Sequence, residues 1–244
     1  MKLSEKEKAA RRAAFQAMSP AGRLEHIYTY YKWPILLGLI ALLVLGSFLH
    51  RQLTRKEPVL YVSLVNLAVG SEQEEELTAG YLRAAGLDER KQEVYLYKDL
   101  YLSEDADVIN HEYVYASRMK VMGAIQARQM DLVLMNREAY DLFSRSGYLL
   151  ELTDLLAEGG EALEARLAPL LAENEIILSD NSVEYMLGEA ETAEIVTESA
   201  VNGILASALP RLQDAGYDGE IFLGVVANCP RTDAALRYLE YLLS

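Results

Sequence analysis

Hydrophobic and polar positions divide the chain into zones of different period. Between Lys32 and Arg51 there is no charged residue, and Trp33 to Leu49 is apolar or small throughout. As a helix this run covers about 26 Å, near the lower limit for a bilayer core. Pro34 falls in the first turn, where its missing N–H is harmless. Tyr28, Tyr30, Tyr31 and Trp33 gather at one end, in the manner of an interfacial aromatic belt. The run has no polar face, as a core helix would, so a transmembrane helix over 33–50 is expected. HRQLTRK follows it with no small-residue cleavage site and no cysteine for lipid attachment, which favours a retained anchor over a cleaved signal.

Beyond a linker at 51–57 the pattern becomes that of an α/β domain, 58–244. PVLYVSLVNLAVG (58–70), EVYLYKDLYL (93–102), DLVLMN (131–136) and EIFLGVVAN (220–228) read as strands, the first buried on both faces. SEQEEELTAGYLRAAG (71–86) reads as a helix with an acidic first turn and Gly86 at its end. Residues 110–130 place Val114, Met119, Met122, Ile125 and Met130 near one helical face, and 137–147 form a helix closed by Gly147. Helices are also expected at 149–156, 161–172, 207–217 and from Pro230 to the end. NEIILSDNSVEYMLGEAETAEIVT has two extended runs around the turn-like SDNS, an antiparallel pair. Alternating strands and helices predict one three-layer α/β lobe on a mostly parallel sheet.

Residues 1–32 are a basic tail. Ser4 with Glu7 makes a capping box, and Ser19-Pro20 opens a second helix with Leu24, Ile27, Tyr28 and Tyr31 on one face. Such a stripe suits the inner membrane surface or a partner helix. The tail holds seven Lys/Arg, whereas residues 57–244 hold 34 acidic against 13 basic side chains; the whole chain carries −14. The expected topology is therefore a cell-membrane, single-pass protein with a cytoplasmic amino terminus and an extracytoplasmic 57–244. The acidic body excludes nucleic acid as a ligand, since nothing there could neutralise a run of phosphates.

Chemistry is sparse. Cys229 is the single cysteine, so there is no intrachain disulfide and no cysteine-based zinc site. No nucleophile elbow, phosphate loop or zinc-protease motif occurs. His111-Glu112 are adjacent on a helix and point about 100° apart, which fits a helix surface better than an acid–base pair. Glu104, Asp105 and Asp107 lack the glycine turn and distal glutamate of a calcium loop. EQEEE (72–76) suits a charged helix start. No enzyme activity, cofactor or metal is expected. Three strands reach asparagine near their carboxyl ends, Asn66, Asn136 and Asn228, and Arg137 and Arg231 follow two of them. In an open parallel sheet ligands bind beyond that edge, and these five residues could meet a carboxylate there. Equally, the asparagines could serve as turn residues and helix caps.

DLVLMNREAYDLFSRSGYLLELTDLL and GVVANCPRTDAALRYLEYL resemble two segments of type 2 extracellular solute-binding proteins of ABC transporters. The whole chain is similar to single-span membrane proteins of Gram-positive bacteria. The first likeness implies one lobe of a two-lobed clamshell, since the stretch between Leu150 and Glu220 is too short for a second lobe. Together these features predict a non-enzymatic, membrane-anchored extracytoplasmic binding domain that acts through a protein partner, in an accessory or sensory role near a transporter or envelope complex. The alternatives are a structural factor of a cell-envelope assembly and a low-affinity solute-binding protein.

Overall fold

The computed structural model of the chain describes residues 17, 19, 32–48, 56–105, 110–189, 191–213, 217 and 219–244. The chain divides into two compact units, Met1–Arg55 and Lys56–Ser244. In the first, residues 32–48 form a helix whose apolar side chains are exposed, Leu42 to 68%. At 1.5 Å per residue this helix is about 25 Å long, against a hydrocarbon core of roughly 30 Å. Among the described residues no helix is long and apolar enough to cross a membrane. That finding corrects the expected single-pass anchor at 33–50 and the inside–outside topology built on it. The tail helices expected from Ser4 and Ser19 fall outside the described residues, apart from positions 17 and 19.

The second unit is built on one six-stranded sheet. Its strands are β1 (Glu57–Val65), β2 (Gln92–Leu100), β3 (Leu132–Asn136), β4 (Leu171–Asp180), β5 (Ile195–Leu205) and β6 (Ile221–Val225), in the order β2-β1-β3-β6-β5-β4. β1 is parallel to both β2 and β3, but β3–β6, β6–β5 and β5–β4 are antiparallel. The sheet is therefore mixed, with a parallel half and an antiparallel half. Sequence pattern could not distinguish β6 from a parallel core strand, because both are apolar on every face.

Alternation along the central strands feeds two cores. Leu60, Val62 and Leu64 of β1, Leu132 and Leu134 of β3, and Ile221, Leu223 and Val225 of β6 face one cluster. Val65, Val133, Met135 and Phe222 face the other. The first face is covered by α1 (Ser71–Ala84), α4 (Leu152–Glu158), α5 (Glu161–Leu167) and α7 (Thr232–Leu242). The second is covered by α2 (His111–Gln126) and α3 (Arg137–Arg145). Inside α1 the stretch Glu76–Gly80 widens into a π-helical turn. Gly80, at the end of this turn, makes room for Tyr241, whose hydroxyl would lie 2.5 Å from a Cβ there. The hydroxyl donates to the Glu76 carbonyl at 2.8 Å and is also 2.9 Å from its carboxylate, so the bulge is tied to α7.

Two local expectations change. α2 buries Ser117, Val121 and Ala124, while Met119 is exposed. Small residues let the helix lie close over the sheet, and the Ser117 hydroxyl accepts the Tyr101 N–H at 3.2 Å. The helix expected at 207–217 is instead a 3-10 turn, Ala206–Ala208, followed by further turns to residue 213. Pro210 lies within that stretch, where a proline ends helical hydrogen bonding.

Candidate functional site

The strand directions divide the five residues singled out from sequence. Asn66 and Asn136 lie at the carboxyl end of the parallel half. β6 runs the other way, with Ile221 opposite Asn136 and Val225 opposite Leu132. Asn228 and Arg231 therefore emerge at the opposite edge, and the expected five-residue site is not assembled.

Each of the five is engaged within the fold. Asn66 holds a positive φ of 58° and clamps the loop after β2, accepting the Leu102 N–H and donating to the Leu102 carbonyl, both at 2.7 Å. Ser103, next in that loop, donates to Glu138 of α3 at 2.6 Å. Residues 101–103 thus lie across the switch point between β1 and β3, where a ligand would sit in an open sheet of this kind. Asn136 caps α3 by accepting the Ala139 N–H at 3.0 Å. Arg137 donates to Asp141 at 3.0 Å and lies over the Phe222 ring. Asn228 donates to the Ile125 carbonyl at 2.7 Å.

Arg231 belongs to a second cluster, around Asp131. That carboxylate is fully buried at the start of β3 and accepts from the Tyr61 N–H and from Arg231 Nε, each at 2.9 Å. The Arg231 guanidinium also covers the Tyr61 ring. The Cys229 thiol donates to Asp131 Oδ1 at 3.3 Å. Burial, reinforced by the Asp131 charge, pushes the thiol up to about 12, which favours the protonated form. The cluster is an ion pair whose carboxylate is taken up by the chain's own donors.

The other acidic groups read from sequence are placed without convergence. His111 and Glu112 are exposed at the start of α2. Glu74 pairs with Lys98, Glu75 with Arg83 and Glu76 with Arg211. Asp107 lies outside the described residues, and among those described no group of three or more His, Cys, Asp or Glu is arranged to hold a metal. A recess of about 280 Å³ lies between α2 and α3, lined by Leu102, Arg118, Val121, Phe143 and Tyr148.

What the fold does present is an arm. β4 and β5 pair from Leu171–Ile204 out to Asp180–Ile195, whereas β6 pairs with β5 only at Ile204 and Leu205. Beyond Gly203 the ribbon has no sheet neighbour on the β5 side, and it extends roughly 25 Å at strand rise. Its base is fastened to α3: Ser144 donates to the Glu175 carbonyl at 2.9 Å and Asn174 to Asp141 at 2.8 Å.

The tip is a short helix, α6 (Ser182–Met186), held to the ribbon by Asn181. The Asn181 side chain donates to the Thr192 carbonyl at 3.0 Å and accepts the Glu194 N–H at 2.6 Å. Around this tip Met186 is 76% exposed and Leu187 69%, with Leu178, Val183 and Ile195 also more than half exposed. Residues 171–205 carry eight Asp and Glu, and the chain has no Lys, Arg or His between Arg166 and Arg211. That cation-free interval, interrupted by VEYML, is the sequence signal that marks the arm.

Compared with protein-family models, curated proteins and solved structures, the chain matches none. The likeness to solute-binding proteins and to single-span proteins of Gram-positive bacteria therefore finds no support there, and it carries no part of the functional reading.

Proposed function

We propose that the unit Lys56–Ser244 is a non-enzymatic binding domain that engages another protein through the β4–β5 arm. The observation that carries this reading is the exposed apolar tip, Val183 and Met186 on a helix held in place by Asn181 and Leu187 just after it. Contiguous apolar surface left in water marks a site that a macromolecule covers. These side chains stand largely in water, whereas a small-solute site is a cleft that buries most of its ligand. At the switch point, where such a cleft would be expected, the chain's own residues 101–103 are in place.

A photo-crosslinking amino acid placed at Met186 or Leu187 of the full chain, in its native cells, tests the proposal. One discrete protein adduct should form from these positions, be absent from Glu240 on α7, and disappear when the neighbouring tip residue is changed to serine. Equal labelling from tip and control positions would sink the proposal. So would micromolar binding of an amino acid, sugar or short peptide in calorimetry that the tip substitutions leave unchanged.

A further inference from the structure

Val183, Met186 and Leu187 stand at i, i+3 and i+4, the spacing that places side chains along one stripe of a helix. The stripe is short, and its surroundings have one sign of charge. Glu184, Glu189, Glu191 and Glu194 lie in the same tip region as Asp180, and Glu198 follows along β5. Among the described residues no arm carboxylate is in an ion pair. Elsewhere in the unit acids do find cations, as Glu74 does with Lys98 and Asp131 with Arg231. The arm's charge is thus left uncompensated beside its apolar stripe.

We infer that the partner is a protein that presents an apolar stripe flanked by Lys and Arg. The inference rests on the arm being a docking surface and names what docks. An apolar stripe on the partner covers Val183, Met186 and Leu187, and flanking cations meet the surrounding carboxylates, which fixes orientation and speeds encounter. A second copy docking arm to arm would instead bring eight carboxylates against eight, a like-charge juxtaposition that disfavours the wrong partner. The acid ring therefore both selects a basic partner and keeps the exposed tips of two molecules apart.

The test uses the full chain and three synthetic helical peptides of equal length that share one leucine stripe, flanked by Lys, by Gln or by Glu. Fluorescence anisotropy should show the Lys-flanked peptide binding about tenfold or more tighter than the Gln-flanked one, with raised salt removing the difference. The Glu-flanked peptide should not bind. Met186→Ser with Leu187→Ser, which leaves charge unchanged, should abolish binding. Glu184→Gln with Glu189→Gln and Glu191→Gln should bring the Lys-flanked peptide down toward the Gln-flanked one. Equal binding of the Lys- and Gln-flanked peptides at the tip would overturn the basic partner and leave the docking surface standing. Binding of the Lys-flanked peptide that survives the serine pair would expose unspecific attraction to an acidic chain and overturn the inference. Failure of the Lys-flanked peptide to bind at all would overturn it as well, while tip-specific crosslinking would still judge the docking surface separately.

Discussion

The Tyr140 hydroxyl lies 2.9 Å from Asn202 Oδ1, so a helix residue and a strand residue that are both fully buried fix the root of the arm to α3. Asn202 passes the link on by donating to Ser144 Oγ at 2.7 Å, and Tyr140 stacks on Phe222 of β6. Next to Asn202, Gly203 leaves the space that the Tyr140 ring occupies: a Cβ there would lie 2.5 Å from the hydroxyl and 2.6 Å from the ring.

Asn202→Ala should therefore cost about 2 kcal/mol, the usual penalty for stranding buried partners. In a unit of this size that lowers the melting temperature by about 4–8 °C. Gly203→Ala should cost as much or more, because the ring it meets is stacked and cannot retreat. Thermal unfolding followed by circular dichroism reads both. Unchanged melting temperatures would show that the arm is not rooted through this contact.

Removing Arg231 isolates a buried carboxylate. Arg231→Ala should destabilise the unit by about 3 kcal/mol, because breaking a buried pair leaves Asp131 uncompensated. Cys229→Ser, which keeps a donor facing Asp131, should stay within about 0.5 kcal/mol of the parent. With the thiol pushed up to about 12, alkylation of the folded chain at pH 8 should be far slower than that of the unfolded chain. Denaturant titration tests the two substitutions, and iodoacetamide kinetics test the thiol.

Asn66→Gly retains the backbone conformation at φ 58° but deletes both side-chain bonds to Leu102. The expected outcome is faster hydrogen exchange at the Leu102 amide with little change at β1. If exchange there stays slow, the loop over the switch point is held by something other than Asn66.

Acid and alkali should each weaken the unit, acid at the α1–α7 contact and alkali through its buried tyrosines. The Tyr241 hydrogen bond and the Arg211 guanidinium hold the Glu76 carboxyl below its ordinary value of 4.5. Its contribution is present above that value and is lost as pH falls through the lower, folded one. Burial raises Tyr140, Tyr217 and Tyr241 from 10 to about 12. Their contribution is complete below pH 10 and is lost between pH 10 and about 12, where the unfolded phenols ionise first. Glu76→Gln should flatten the acid limb of the stability profile and leave the alkaline limb in place.

Strands β1, β2, β3 and β6 were legible as β-branched or apolar runs, and α1 and α3 by their period and a terminal glycine, such as Gly147 after α3. Strand direction was not. Ile221–Val225 is apolar on every residue, and only its pairing with β3 shows that it runs backward. That reversal also dissolved the asparagine site, since Asn228 was placed at an edge by assuming a parallel strand. The capping role of Asn136 was readable from sequence, whereas the clamp from Asn66 to Leu102 spans 36 residues and leaves no local trace. The antiparallel pair around SDNS was visible, but its exposure was not, because alternation reports which face is buried only when something covers it.

A two-stranded ribbon with one end built in and the other free is a cantilever. Force applied by a bound molecule at Met186 acts on the root with a moment arm of roughly 25 Å. The root is the Tyr140–Asn202–Ser144 contact, and Tyr140 rests on Phe222 in the middle of the sheet. Bending at the tip is therefore carried into α3 through Ser144 and Asp141, and from there to β6 through the Tyr140–Phe222 stack.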